Sequence, residues 1–176
     1  MAKIFGRGFS SKVIACDPFA DCDMARREGV DLVSFDTLIE QSDIISIHAP
    51  LTPQTHHVFN RDVFRRMKSS AMIVNVSRGP LIDVEALTQA LIDGDIAFAG
   101  LDVFEIEPLP ASCPLLKLDN VALTPHSAYY SSEASQIQKS YSTWFVIEML
   151  KNNTIHRKYV ANKDVIDAFP GYRVEE

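Results

Sequence analysis

The chain has 176 residues, 47% of them hydrophobic and none in a low-complexity run, which suits one well-buried globular domain with little chain left for a second. Its 17 basic and 23 acidic residues give a net charge of -6 with no basic cluster, which makes nucleic acid a poor partner. No apolar run approaches the roughly 18 residues of a membrane span, and the start lacks a charged-then-apolar leader, so the sequence predicts a cytoplasmic protein.

Ala2–Phe5 reads as the last turn of a helix. Gly6-Arg7-Gly8 has the look of a dinucleotide loop, but such a loop follows a strand and opens a helix. Here the glycines follow a helix and open a strand, Lys12–Cys16, so they read as a turn. That strand ends at Asp17-Pro18. In dinucleotide-binding folds a carboxylate at the tip of the second strand, about 20 residues after the glycine loop, accepts hydrogen bonds from ribose hydroxyls. Counting back that far from Asp17 runs off the front of the chain, so the first strand and its phosphate loop are expected to be missing. Cys16, Cys22 and Cys113 lack metal-type or Cys-x-x-Cys spacing and read as reduced thiols.

Cys22–Glu28 predicts a short helix, Val30–Val33 a weak strand, and Phe35–Gln41 a helix with Leu38 and Ile39 inward. Ile44–Ile47 predicts a fully buried strand. His48-Ala49-Pro50-Leu51-Thr52-Pro53 follows it, and the two prolines stiffen a loop. Val58–Met67 predicts a helix with Val63, Phe64 and Met67 on one face. Just before it stand His56 and His57. Adjacent histidines point different ways on a helix and no further ligands are spaced with them, so no metal site is expected.

Met72–Glu107 is the centre of the chain. It predicts a strand (Met72–Val76), a turn with Arg78 and Gly79, a helix (Asp83–Asp93) and a second strand ending at Asp102. Strand, helix and strand in about 30 residues form the parallel crossover of an α/β sheet. Arg78 then lies past the carboxyl end of one strand, and Asp102, Glu105 and Glu107 past the next. Ligands bind at that edge, so a guanidinium and carboxylates meeting there suggest a site; solvated loop charges are the plain alternative. After the proline-containing loop Pro108–Pro114, Val121–Leu123 predicts a last short strand that delivers Thr124-Pro125-His126 to the same edge. A long helix follows, capped by Ser131 or Ser132, with Glu133 in its first turn. Ala134, Ile137, Tyr141, Trp144, Phe145 and Met149 form one stripe, while Val146, Ile147 and Leu150 make the opposite side apolar too. Such a helix wants a second partner. From Asn152 onward the signals are weak.

Cys16-Asp17-Pro18, Ala49-Pro50-Leu51-Thr52, Asn75-Val76-Ser77-Arg78-Gly79, the run Leu101–Pro108 and Thr124-Pro125-His126 occur in this order and spacing. Together they resemble the D-isomer-specific 2-hydroxyacid dehydrogenases. That family includes phosphoglycerate, glycerate and formate dehydrogenases and the C-terminal-binding-protein corepressors. The resemblance runs from about Ala2 to Leu150, and His126-Ser127-Ala128-Tyr129-Tyr130-Ser131 is similar to the version with an aromatic after the histidine found in the corepressor branch. Family members have two domains, and this chain resembles the nucleotide-binding one. The resemblance implies an α/β fold, a Rossmann-like parallel sheet with helices on both faces, here with the first strand and glycine loop missing. It divides the chain into a partial NAD-binding domain, 1–151, and a C-terminal tail, 152–176.

The same resemblance implies NAD as cofactor and a small 2-hydroxy or 2-keto acid as substrate. His126 would take the hydroxyl proton, and Glu107 would orient its ring, with Glu105 as the rival for that role. Arg78 would clamp the substrate carboxylate or carbonyl oxygen. Asp102 resembles the residue that holds the nicotinamide carboxamide. Asp17 would hold the adenosine ribose and repel a 2′-phosphate, favouring NAD over NADP. Ala49, Pro50, Thr55, Val76, Ser77 and Ala128 match family segments that line the cofactor, beside Arg78 and His126. The long helix would run towards the second domain, which accounts for its second apolar face. With the phosphate loop and that domain absent, the isolated chain is expected to bind NAD weakly or not at all. It is also expected to form a homo-oligomer or to pair with a missing N-terminal half. A non-catalytic NAD-fold scaffold, like the corepressor branch, is the alternative; retention of Arg78, Glu107 and His126 leans towards the oxidoreductase.

Overall fold

In the computed structural model residues 1–168 and 171–175 are described, and they fall into two units, Met1–Ala128 and Tyr129–Glu176. The first unit alternates strand and helix: β1 (Val13–Ala15), α1 (Cys22–Arg27), β2 (Val30–Leu32), α2 (Phe35–Gln41), β3 (Ile44–Ile47) and α3 (Arg61–Arg66). It continues through β4 (Met72–Asn75), α4 (Val84–Asp93), β5 (Phe98–Leu101) and β6 (Val121–Leu123). Asp21, Ser34, Asn60 and Asp83 cap α1 to α4, each side chain accepting backbone N–H groups of the first turn. Gly94 ends α4 at φ +75°, a left-handed conformation that glycine adopts without strain.

Among the described residues every strand pairing is parallel. β1 pairs with β2, and a second sheet runs β3–β4–β5–β6. Ile47, Asn75, Leu101 and Leu123 share one register row at the carboxyl ends of that sheet. The loops beginning at His48, Val76, Asp102 and Thr124 therefore leave along a single edge, the one where open α/β sheets hold ligands. Among the described residues no strand pairs with both β1 and β3.

Helix α2 packs on α3 and α3 on α4, and Ile39, Phe64 and Leu87 are enclosed with Ile73 and Leu81 in one core. The strand β3 differs from its expected full burial. Ile45 and Ile47 are buried but Ile44 is 50% exposed, because alternate side chains face opposite ways and the core covers one face.

Three further expectations shift. Gly6 and Gly8 lie inside a short π-helical turn, Ile4–Gly8, instead of in a turn that follows a helix. Helix α3 begins at Arg61, not Val58, because Asn60 Oδ1 accepts the N–H groups of Asp62 and Val63 while Phe59 is drawn into a parallel bridge with Ile82. His56 and His57 precede that helix, and their rings stack with centroids 4.0 Å apart instead of diverging. The left-handed backbone of His57 (φ 49°) accompanies this turn.

The second unit holds α5 (Ser132–Asn152), capped by Ser131, and a small parallel sheet of β7 (Thr154–His156) and β8 (Arg173–Glu175). Tyr141, Trp144 and Phe145 of α5 pack against Tyr159, and Trp144 also lies tilted against His156, so residues past Asn152 cover one stripe of the helix. Ile137, Val146 and Leu150 stay exposed. Among the described residues no helix is long and apolar enough to cross a membrane.

Candidate active site

Asn75, the last residue of β4, begins the site. It is fully buried; its Oδ1 accepts the Ser77 N–H at 3.0 Å and its Nδ2 donates to the Arg78 carbonyl at 2.9 Å, which folds the next three residues into an Asx turn. Ser77 Oγ donates to the Ala49 carbonyl at 2.6 Å and so ties this turn to the loop after β3. That loop closes on itself: Thr55 Oγ1 donates to the Pro50 carbonyl at 2.7 Å and accepts the Thr52 N–H at 2.8 Å. Arg78 emerges exposed at the edge, with Nη1 on the Ser77 carbonyl at 2.7 Å. Gly79 behind it is buried so tightly that a Cβ would lie 2.0 Å from the Phe104 carbonyl carbon and 2.5 Å from the Glu105 nitrogen.

The loop after β5 supplies the carboxylates. Asp102 is 4% exposed. Its Oδ1 accepts the Thr124 hydroxyl and the Ser127 N–H, and its Oδ2 accepts the Ala128 N–H at 2.9 Å, so it latches down the segment that carries His126. Burial pushes the Asp102 carboxyl up, but the Thr124 hydroxyl, the Ala128 and Ser127 N–H groups and nearby His126 together hold it below the ordinary value. Glu107 Oε2 meets His126 Nδ1 at 2.8 Å, and its Oε1 accepts the Phe104 N–H at 2.9 Å. The His126 ring first, then that N–H, hold the Glu107 carboxyl below its ordinary value. Glu105 turns elsewhere, to His57 Nε2 at 2.8 Å, so of the two rival glutamates it is Glu107 that touches His126. A recess of about 590 Å³, walled by Phe104, Leu109, Leu123 and Pro125, adjoins the His126 ring.

The structure thus gathers Arg78, Asp102, Glu107, His126 and Ala128 with Ala49 and Ser77 along one edge. Asp17 lies two residues past β1, which belongs to the separate β1–β2 sheet, and its Oδ1 accepts the Phe19 N–H at 2.9 Å. Among the described residues no group of three or more His, Cys, Asp or Glu could hold a metal ion. Sequence reasoning gave no role to Asn75, Gly79, Thr124 or the His57–Glu105 pair. Asn75 had a local signal, an Asx-turn residue closing an apolar strand; His57 and Glu105 are 48 residues apart and had none.

The family profile described as D-isomer specific 2-hydroxyacid dehydrogenase, NAD binding domain, matches residues 1–128. The chain belongs to this family. A 2-hydroxyacid dehydrogenase relative, the glyoxylate reductase of Thermofilum pendens, is 43% identical over 160 residues, covering 87% of this chain and 47% of its own length. The glyoxylate reductase of Korarchaeum cryptofilum is 46% identical over 127 residues, 72% of this chain and 38% of that protein. Among solved structures, the D-lactate dehydrogenase of Lactobacillus jensenii with NAD+ superposes with a TM-score of 0.76 at 31% identity, over 84% of this chain and 48% of that one. The chain spans less than half the length of these relatives. The fold is that of the Rossmann dehydrogenases, and NAD is the cofactor of the domain the chain matches.

The two depressed carboxyls at this edge set an acid limit. A carboxyl whose folded pKa lies below its unfolded value stabilises the fold fully above the unfolded value, and that stability disappears as pH falls through the folded one. With unfolded values of about 3.9 for Asp and 4.3 for Glu, the contribution of Asp102 and Glu107 is present at neutral pH and lost below about pH 4. Thermal unfolding from pH 7 to pH 3 should show a steeper acid loss in the parent chain than in Asp102→Asn, which starts less stable. Parallel profiles would refute the latch.

Proposed function

We propose that this chain is the cofactor half of an NAD-dependent dehydrogenase acting on the CH–OH group of a small D-2-hydroxy acid. The contact between His126 Nδ1 and Glu107 Oε2, at the same strand-end edge as Arg78, carries this reading. NAD, when bound, would supply the hydride acceptor for carbon 2. His126 Nε2 would take the hydroxyl proton, because Glu107 fixes the opposite ring nitrogen and stabilises the protonated imidazole. Arg78 receives the substrate carboxylate and polarises the oxygen on carbon 2; the reverse sequence reduces a 2-keto acid.

The residues fit the two ends of the cofactor. Asp17, two residues past the end of β1, suits the adenosine ribose and disfavours a 2′-phosphate. Ala49, Pro50, Thr55, Val76, Ser77 and Ala128 line the nicotinamide side, where Asp102 Oδ2 accepts one backbone N–H and keeps acceptor capacity for the carboxamide. One observation favours a second reading, a non-catalytic scaffold or a chain active only with an N-terminal half: Gly6 and Gly8 sit in a π-helical turn, which is no cradle for the pyrophosphate. Calorimetric titration with NADH tests this. The isolated chain should bind more weakly than micromolar, with any residual heat lost in Asp17→Ala. Micromolar affinity would overturn the expected weakness, and binding heat indifferent to Asp17→Ala would overturn the role given to Asp17.

A further inference from the structure

We propose that His57 is a positioning residue for the acid–base pair, clamping the loop that carries Glu107 to the loop that carries Arg78. Its backbone N–H donates to the Pro80 carbonyl at 2.8 Å, and two residues on the Phe59 N–H donates to the Leu81 carbonyl at 3.1 Å. This joins the segment after the Ala49–Thr55 loop to the turn that begins at Arg78. The His57 ring then reaches the other way, placing Nε2 2.8 Å from Glu105 Oε1. Glu105 is two residues before Glu107, and Phe104, three before Glu107, donates its N–H to Glu107 Oε1 at 2.9 Å. The Glu107 loop is thus held on one side by Gly79 packed against the Phe104–Glu105 backbone and on the other by the His57 ring. Glu107 in turn orients His126.

His57 keeps a left-handed backbone (φ 49°), a sparsely populated region for a residue with a side chain. Such conformations persist where the surroundings over-determine them, and they cluster at functional sites. The His57 and Glu105 side chains are 35% and 33% exposed, too open for their pairing to contribute much to global stability. The clamp therefore acts on geometry. The consequence for hydride transfer rests on the dehydrogenase reading; the effect on the Glu107–His126 contact does not.

Nuclear magnetic resonance of the isotope-labelled chain, with neither cofactor nor substrate, tests the clamp separately from activity. The readouts are the pH titration of the Glu107 carboxyl carbon and the His126 Nδ1 proton signal. His57→Asn keeps a residue type that tolerates the left-handed backbone but loses reach to Glu105. In His57→Asn and in Glu105→Ala, the Glu107 midpoint should rise towards about 4.3, that of a free glutamate side chain, and the His126 signal should broaden or vanish. The double variant should go no further than either single one. His57→Gln, whose amide donor has comparable reach, should restore both signals. Lys68→Gln, which removes a remote pair with Asp43, should change neither. Wild-type Glu107 and His126 signals in a folded His57→Asn or Glu105→Ala would overturn the clamp, as would a failure of His57→Gln to restore them.

Discussion

Gly79→Ala is expected to destabilise the Met1–Ala128 unit by about 3 kcal/mol or more, lowering its urea midpoint by at least about 1 M. The added methyl would sit 2.0 Å from the Phe104 carbonyl carbon and 2.1 Å from its oxygen, which are backbone atoms that cannot swing aside like a flexible side chain. Either the turn after β4 or the loop after β5 must move. Both routes disturb the site: the first shifts Arg78, the second shifts Phe104, whose N–H anchors Glu107. Gly100→Ala is the matched control. Its Cβ would meet Val74 Cγ2 at 3.6 Å, an ordinary contact, so the change should stay within about 1 kcal/mol and can even stabilise by restricting the unfolded chain. Equal effects at the two glycines would show that the close approach at Gly79 is not what holds these loops together.

The strands of the second sheet were readable in the sequence because each is a short apolar run bounded by turn residues, and Ile44–Ile47 and Val121–Leu123 are found where expected. The common edge was readable too, since parallel crossovers place successive loops after Asn75, Leu101 and Leu123 together. What escaped were contacts between residues distant in sequence. Nothing local says that Gly79 lies against Phe104, that His57 reaches Glu105, or that Asp102 gathers the N–H groups of Ser127 and Ala128. The start of α3 was misplaced because Phe59 is drawn into a bridge with Ile82, a tertiary pairing that overrides helical periodicity. Residues beyond Asn152 were unreadable for a related reason: Tyr159 and His156 gain their meaning only from aromatic neighbours on α5.

His126→Ala carries the other large effect. In the proposed role His126 is the general acid–base, a function worth about 10²–10⁴ in rate, so its loss should raise the barrier by about 3–5 kcal/mol while leaving the sheet intact. The His126 segment is held by Asp102 through Ser127 and Ala128, so removing the ring leaves that latch in place and separates chemistry from folding. Glu107→Gln should cost less, because an amide still meets Nδ1 but no longer stabilises the imidazolium. Arg78→Lys should fail to rescue Arg78→Ala, since a point charge does not reproduce the planar fork.

The decisive measurement is NADH oxidation with small 2-keto acids by this chain combined with the N-terminal half of a glyoxylate reductase relative. Turnover is expected in the mixture and in neither part alone, and it should fall at least about a hundredfold with His126→Ala. Turnover that survives His126→Ala, or a mixture that binds NADH tightly yet reduces no 2-keto acid, would contradict it.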